Sequence, residues 1–151
     1  SINSFQSNFK IGIHAHNNKL MALSNSLEAY KSGVKYIDST INGMGRGCGN
    51  TATEYLFLER EKKNKNKINF NRLKNLMNLI ENNFQDLKKK YNWNDKINYY
   101  LAGEHKRHPT YNQKLISNKN YTVKKVFIAI KNLLRINSKN FDIKNIKNYN
   151  K

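Results

Sequence analysis

FKIGIHAHNN, residues 9–18, alternates apolar and other side chains as a β-strand does, then stops at two asparagines. Phe9, Ile11 and Ile13 form one face; Lys10, Gly12, His14 and His16 form the other. Two imidazoles spaced by two leave a strand on the same side, roughly 7 Å apart at Cα. Such a pair can converge on one metal ion at about 2.0–2.1 Å. The same spacing equally fits two polar residues at a strand end. Asn17 and Asn18 end the strand and can cap the helix that follows.

Outward from this strand, Leu20 to Ser32 reads as a helix with an apolar stripe of Leu20, Ala22, Leu23, Leu27 and Tyr30. Gly33 is placed to follow its C-terminus. VKYIDSTI, residues 34–41, is a second strand, and Thr51 to Lys62 is a second helix. Strand, helix, strand and helix with short loops predict parallel βα units. Two such strands cannot be stable alone, because a parallel sheet needs cover on both faces and more neighbours. Residues 1–62 are therefore expected to be the closing portion of a larger α/β domain, with 63–151 a helical extension.

The extension begins at the polar linker Lys63–Lys67. One amphipathic helix is predicted over Phe70–Tyr91, and short helices over Trp93–Gly103 and Tyr111–Ser117, around the lone Pro109. A further helix is predicted over Thr122–Ile136, and the Asn/Lys-rich end, Phe141–Lys151, is expected to fray.

The formal charge of +18 suggests a polyanion partner. Its placement argues otherwise: Lys10, Lys19, Lys31, Lys35 and Arg46 nearly balance Glu28, Asp38, Glu54 and Glu59, so the excess falls after residue 59. It is mostly lysine in a background of Asn and Ile, a composition that AT-rich codons produce without any binding role. A nucleic-acid partner is not expected, because aromatic and basic residues there are scattered rather than shared on one face. One cysteine, Cys48, excludes an internal disulfide. No apolar run approaches a membrane span, so a cytoplasmic setting is expected. The chain opens at Ser1 and runs almost at once into a strand, as a fragment or processed chain would.

The second strand leads into Gly43-Met44-Gly45-Arg46-Gly47-Cys48-Gly49-Asn50. Alternate glycines allow unusual dihedrals and close backbone approach to a ligand. Asn50 stands at a helix start, where it can be a simple N-cap or can mark amides that hold a carboxylate. No Lys-Ser/Thr follows the last glycine, and Cys48 stands where a dinucleotide fingerprint requires its third glycine.

Taken together, IGIHAHNN and NSLEAYKSGVKYIDSTINGMGRGCGNTATE resemble the last two barrel units of the pyruvate-aldolase and hydroxymethylglutaryl-CoA-lyase-like metalloenzymes. That superfamily includes 4-hydroxy-2-oxovalerate aldolase, 2-isopropylmalate synthase and homocitrate synthase. Its H-x-H-N strand end matches His14-Ala15-His16-Asn17. Its D-x-(S/T)-x-x-G-x-G-x-x-x-G-N motif matches Asp38 and Thr40 through Gly43, Gly45, Gly49 and Asn50. The resemblance covers roughly residues 9–60.

It implies an α/β fold: C-terminal βα units of a TIM (β/α)8 barrel followed by an α-helical extension. His14 and His16 would be metal ligands, with Asn50 a further ligand or a loop anchor. Asn17 would orient a ligand or the substrate. Gly43 and Gly45 would let backbone approach the substrate, and Arg46 either reaches a substrate carboxylate from the loop or is an exposed loop charge. The metal, Mn, Mg, Co or Zn, would act as a Lewis acid on a 2-oxo acid in carbon–carbon cleavage. The family's Arg, metal-binding Asp and general base belong to a first strand, expected upstream of Ser1. Asp38 reads as a structural or loop-anchoring residue, and Cys48 as a packing residue or, following the lyases, a catalytic one. Tyr100 either packs in the extension or stands near the site, as a tail tyrosine does in the aldolases. A Claisen-type acyltransferase is the alternative chemistry, and a basic nucleic-acid-binding helical module the non-enzymatic one. An aldehyde dehydrogenase partner or a homo-oligomer would fit the relatives.

Overall fold

The computed structural model describes residues 10–63, 67–93, 97–117 and 122–135, with Asp142 and Lys144. Phe9, the middle of the 63–67 linker, Ile136 and nearly all of 141–151 lie outside the described residues.

Strands β1 (Gly12–His14) and β2 (Tyr36–Asp38) pair in parallel, with Gly12 opposite Tyr36, Ile13 opposite Ile37 and His14 opposite Asp38. Helix α1 (Ala22–Lys31) crosses between them, as parallel pairing requires. Its end follows from Gly33, whose φ of 102° is left-handed. The Gly33 N–H then reaches Tyr30 O at 3.1 Å and the Val34 N–H reaches Ala29 O at 3.0 Å, the double closure of a Schellman motif.

Leu20, expected inside the helix, instead precedes it with φ 60° and an exposed side chain. The turn Asn17–Leu20, closed by Leu20 N–H on Asn17 O, takes the position the helix would have begun at. After β2 come a 3-10 turn (Ile41–Gly43), the glycine loop and α2 (Thr53–Lys63). Ser26 of α1 and Thr51, both buried, share a hydroxyl hydrogen bond of 2.9 Å and tie the helix to the loop's exit.

Among the described residues five helices follow: α3 (Phe70–Asn83), α4 (Gln85–Tyr91), α5 (Ile97–Glu104), α6 (Pro109–Ser117) and α7 (Val123–Leu134). The single helix expected over 70–91 is bent at Phe84 (φ −109°, ψ −17°), just after Asn82-Asn83, which favour helix weakly. Asn69 and Thr122 cap α3 and α7 by accepting the N–H of Arg72 and Lys125. Pro109 opens α6, where its missing N–H is not needed. Tyr111, Leu115, Val126, Ala129, Ile130 and Leu133 form the hydrophobic core of α6 and α7.

Trp93 corrects a further expectation. It lies outside α5, buried, after Asn92 ends α4 in the left-handed conformation (φ 57°, ψ 36°). Its indole N–H donates to Asn42 O at 2.9 Å, pinning the extension to the glycine loop. Among the described residues no helix is long and apolar enough to cross a membrane.

Candidate metal centre

His14 ends β1, and His16 lies two residues on. Their rings meet edge to face, centroids 4.9 Å apart and planes at 83°, both exposed on the same side. The period-two expectation is therefore met in geometry. Beyond β1 the loop's exit runs back antiparallel to residues 15–17. The Asn17 N–H donates to Gly49 O at 2.9 Å and the Thr51 N–H to Ala15 O at 3.1 Å. These bonds flank the His16–Asn50 bridge, making it a pair without direct hydrogen bonds. Such pairs bring their side chains closest, with Cβ atoms about 4.5–5.5 Å apart on one face. Backbone pairing thus gathers His14, His16 and Asn50.

The Asn50 amide is held at one end only. Its Nδ2 donates to Met44 O at 3.0 Å, while its buried Oδ1 has no hydrogen-bond partner. An orphaned buried oxygen is costly, so a hydrogen-bond donor or a cation that engages its lone pairs is favoured. Two imidazoles and an amide oxygen fit a divalent cation of the borderline kind. Among the described residues no three His, Cys, Asp or Glu side chains come together as a metal-holding group, so this donor set is partial.

The glycines explain why the loop can close here. A Cβ on Gly49 (φ 84°) would fall 2.1 Å from Gly43 O, and one on Gly45 would meet Asn50 Nδ2 at 2.7 Å. The loop's entry is anchored by Glu54, whose carboxylate accepts the Asn42 N–H at 3.1 Å, and by the Ser39–Thr53 hydroxyl pair at 2.9 Å. Asp38, expected as a structural or loop-anchoring residue, faces His14: Nδ1 lies 3.3 Å from Asp38 Oδ2.

The remaining candidates divide. Asn17 Oδ1 accepts the N–H of Ala22, at the start of α1, so its side chain serves the cap. Arg46 is exposed on the loop. Cys48 is buried and donates to Asn18 Oδ1 at 3.0 Å, which favours the packing reading. Tyr99, rather than Tyr100, is the tyrosine placed on the loop: a Cβ on Gly47 would touch its ring at 3.2 Å. Burial, with Cys48 nearby, pushes its phenol above its ordinary value. Tyr100 lies 5.8 Å from the Lys19 ammonium, and Lys19 pairs with Glu104 of α5 at 2.5 Å. Trp93 and Tyr99 were missed as loop supports, and Glu104 as the partner of Lys19, because nothing local in the sequence marks their partners. A cleft of about 500 Å³ between α1, β2 and α2, lined by Leu27, Tyr30, Ile37, Leu56 and Phe57 among others, includes none of the candidate residues.

The sequence model of the HMGL-like family matches residues 1–80. The chain belongs to the HMGL-like family. It is 46% identical over 50 residues to an oxaloacetate decarboxylase of Mycobacterium tuberculosis, across 33% of this chain and 15% of that protein. It is 47% identical over 49 residues to a 4-hydroxy-2-oxovalerate aldolase of Pelotomaculum thermopropionicum, across 32% and 14%. With a Geobacillus genomosp. 3 protein of the same name the identity is 51% over 49 residues, again across 32% and 14%. The aligned stretch thus spans about one seventh of the length of these relatives. The chain also resembles the crystal structure of the N-terminal domain of a Bacteroides vulgatus protein described as a candidate aldolase. There the TM-score is 0.63 and the identity 30%, over 81% of this chain and 38% of that one. These findings agree with the α/β architecture and with membership of an aldolase-containing family.

Proposed function

We propose that this HMGL-like chain supplies the metal-binding rim of a divalent-metal-dependent carbon–carbon lyase acting on a 2-oxo acid, such as a 4-hydroxy-2-oxo acid. One observation supports the reading: strand pairing sets His14, His16 and Asn50, whose buried amide oxygen lacks a partner, side by side at a loop whose glycines admit close approach. In this reading His14, His16 and Asn50 hold the cation. When bound, it supplies Lewis-acid polarisation of the oxo acid and charge stabilisation for the enolate of bond cleavage. Gly43 and Gly45 leave backbone room for the substrate, and Arg46 offers its guanidinium to a carboxylate. Asn17 supports the site through the α1 cap and its bond to Gly49. The general base and the remaining ligand come from outside the described residues. Residues 1–62 are then the closing part of a barrel and 63–151 its helical extension.

The full-length protein tests this. After gentle purification, metal content and cation affinity are compared with those of His16→Ala; pyruvate release from a 4-hydroxy-2-oxo acid alone is assayed beside CoA release from acetyl-CoA with a 2-oxo acid. We expect a bound cation, at least tenfold weaker binding in the variant, and cleavage without acetyl-CoA. Unchanged cation affinity in His16→Ala would remove the metal reading. Turnover only with acetyl-CoA would replace lyase chemistry by Claisen chemistry.

A further inference from the structure

Parallel pairing of β1 and β2 puts Asp38 directly across from His14, with the two side chains in contact through Nδ1 and Oδ2 at 3.3 Å. Nδ1 is thus the ring nitrogen turned to the carboxylate, and the tautomer that satisfies the contact is the one with its proton on Nδ1, which leaves Nε2 free to bind. The ring of His14 also meets that of His16 edge to face. The ring therefore touches two neighbours.

We infer that Asp38 is a positioning residue that fixes His14 as the Nδ1–H tautomer and so assigns Nε2, rather than Nδ1, to a divalent cation. The inference rests on the reading of His14 as a ligand. It needs the strand register, which the sequence does not reveal. Loss of an outer partner of this kind weakens metal binding by about 10–100-fold. The loop-anchoring role that Asp38 would otherwise fill is taken by Glu54, Ser39 and Thr53. Its carboxylate is 71% exposed, so replacing it should not disturb packing.

The test uses the full-length protein in three forms: wild type, Asp38→Ala and Asp38→Asn. Long-range 15N correlation spectra, recorded without metal and above the imidazole titration range, report the tautomer of His14. Titration with Co2+ or Mn2+ reports affinity. We expect the Nδ1–H tautomer in wild type, its loss in Asp38→Ala with about 10–100-fold weaker binding, and substantial rescue in Asp38→Asn, which keeps an acceptor oxygen. The proposal is overturned if wild-type His14 carries its proton on Nε2. It is equally overturned if Asp38→Ala binds within twofold of wild type, or if binding collapses while the tautomer stays put, which would make Asp38 a ligand itself. Failure of the metal site as such shows separately: in that case His16→Ala and wild type bind the cation alike.

Discussion

Residues 10–63 and residues 67–135 are built on different principles. In the first region the buried apolar residues are all small: Ala15, Ala22, Val34 and Cys48. Its shape comes from backbone, with strand register, left-handed glycines and main-chain bonds joining residues 15–17 to 49–51. In the second region the buried residues are mostly large, among them Ile80, Trp93, Tyr99, Tyr111, Leu115, Ile130 and Leu133. Each contributes about 1.5–3 kcal/mol of burial when a large aliphatic side chain is covered. Position is specified in one region and stability is concentrated in the other. The candidate chemistry lies in the part whose geometry is fixed by main chain, where small displacements of a donor are resisted locally.

The largest effect should come from Gly49→Ala. The new Cβ would meet Gly43 O at 2.1 Å with φ at 84°, and because the atom it meets is backbone rather than a flexible side chain, the main chain itself must shift. The left-handed penalty alone is roughly 1–2 kcal/mol, and the clash adds to it, so a loss of about 3 kcal/mol or more is expected. Cation binding should vanish with it. Leu115→Ala, at a side chain only 1% exposed, should cost a similar about 2–5 kcal/mol through the cavity it leaves. Its cation affinity, measured where the protein remains folded, should nevertheless match wild type. Calorimetric melting and Co2+ titration of both variants check this. If Leu115→Ala weakened binding as strongly as Gly49→Ala, the division between the regions would be broken.

Much of the first region was readable because its signals are local. Alternation in FKIGIH, the Gly33 terminus of α1 and the H-x-H spacing each involve residues within a few positions. The packing between the regions was not readable. Trp93 and Asn42 are 51 residues apart, His14 and Asp38 are 24 apart, and no periodic pattern encodes which partner each will find. The bend at Phe84 escaped for another reason: apolar spacing continues smoothly through residues 73–87, and only the weak helix preference of Asn82-Asn83 opposes it. Of the candidate residues, the closeness of His14 and His16 was legible from their spacing and Asn50 entered through the resemblance, whereas the contact of Asp38 with His14 needed the register.

Trp93→Phe sharpens the comparison, because Trp93 is where the two regions meet. Phenylalanine keeps a ring beside Gly49 but loses the donor to Asn42 O, leaving that carbonyl short of a partner. A cost of about 1 kcal/mol is expected, which corresponds to a fall of roughly 2–4 °C in melting temperature. Amide hydrogen exchange should accelerate across residues 42–50 and stay unchanged in α7. Uniform acceleration in both places would show that the indole supports the fold as a whole rather than the loop.

The smallest effect belongs to the second bridge between the regions, Lys19 with Glu104. The hydrogen bond to Lys19, reinforced by its charge, holds the Glu104 carboxyl below its ordinary value, and the same partner raises Lys19 above its own. A lowered carboxyl stabilises the fold above the unfolded carboxylate range, and that contribution is lost as pH falls through the lowered value. A raised lysine contributes fully below the unfolded lysine range and loses its contribution as pH rises through the raised value. The pair therefore contributes most across neutral pH. Both side chains reach solvent, so water and salt screen the gain heavily. Denaturant midpoints of wild type and Glu104→Gln should differ slightly at neutral pH and low salt, then converge in acid and at high salt. A difference that persisted in acid would mean that Glu104 supports α5 by packing on Lys19 rather than by charge, and the bridge would then join the buried, side-chain-driven half of the comparison.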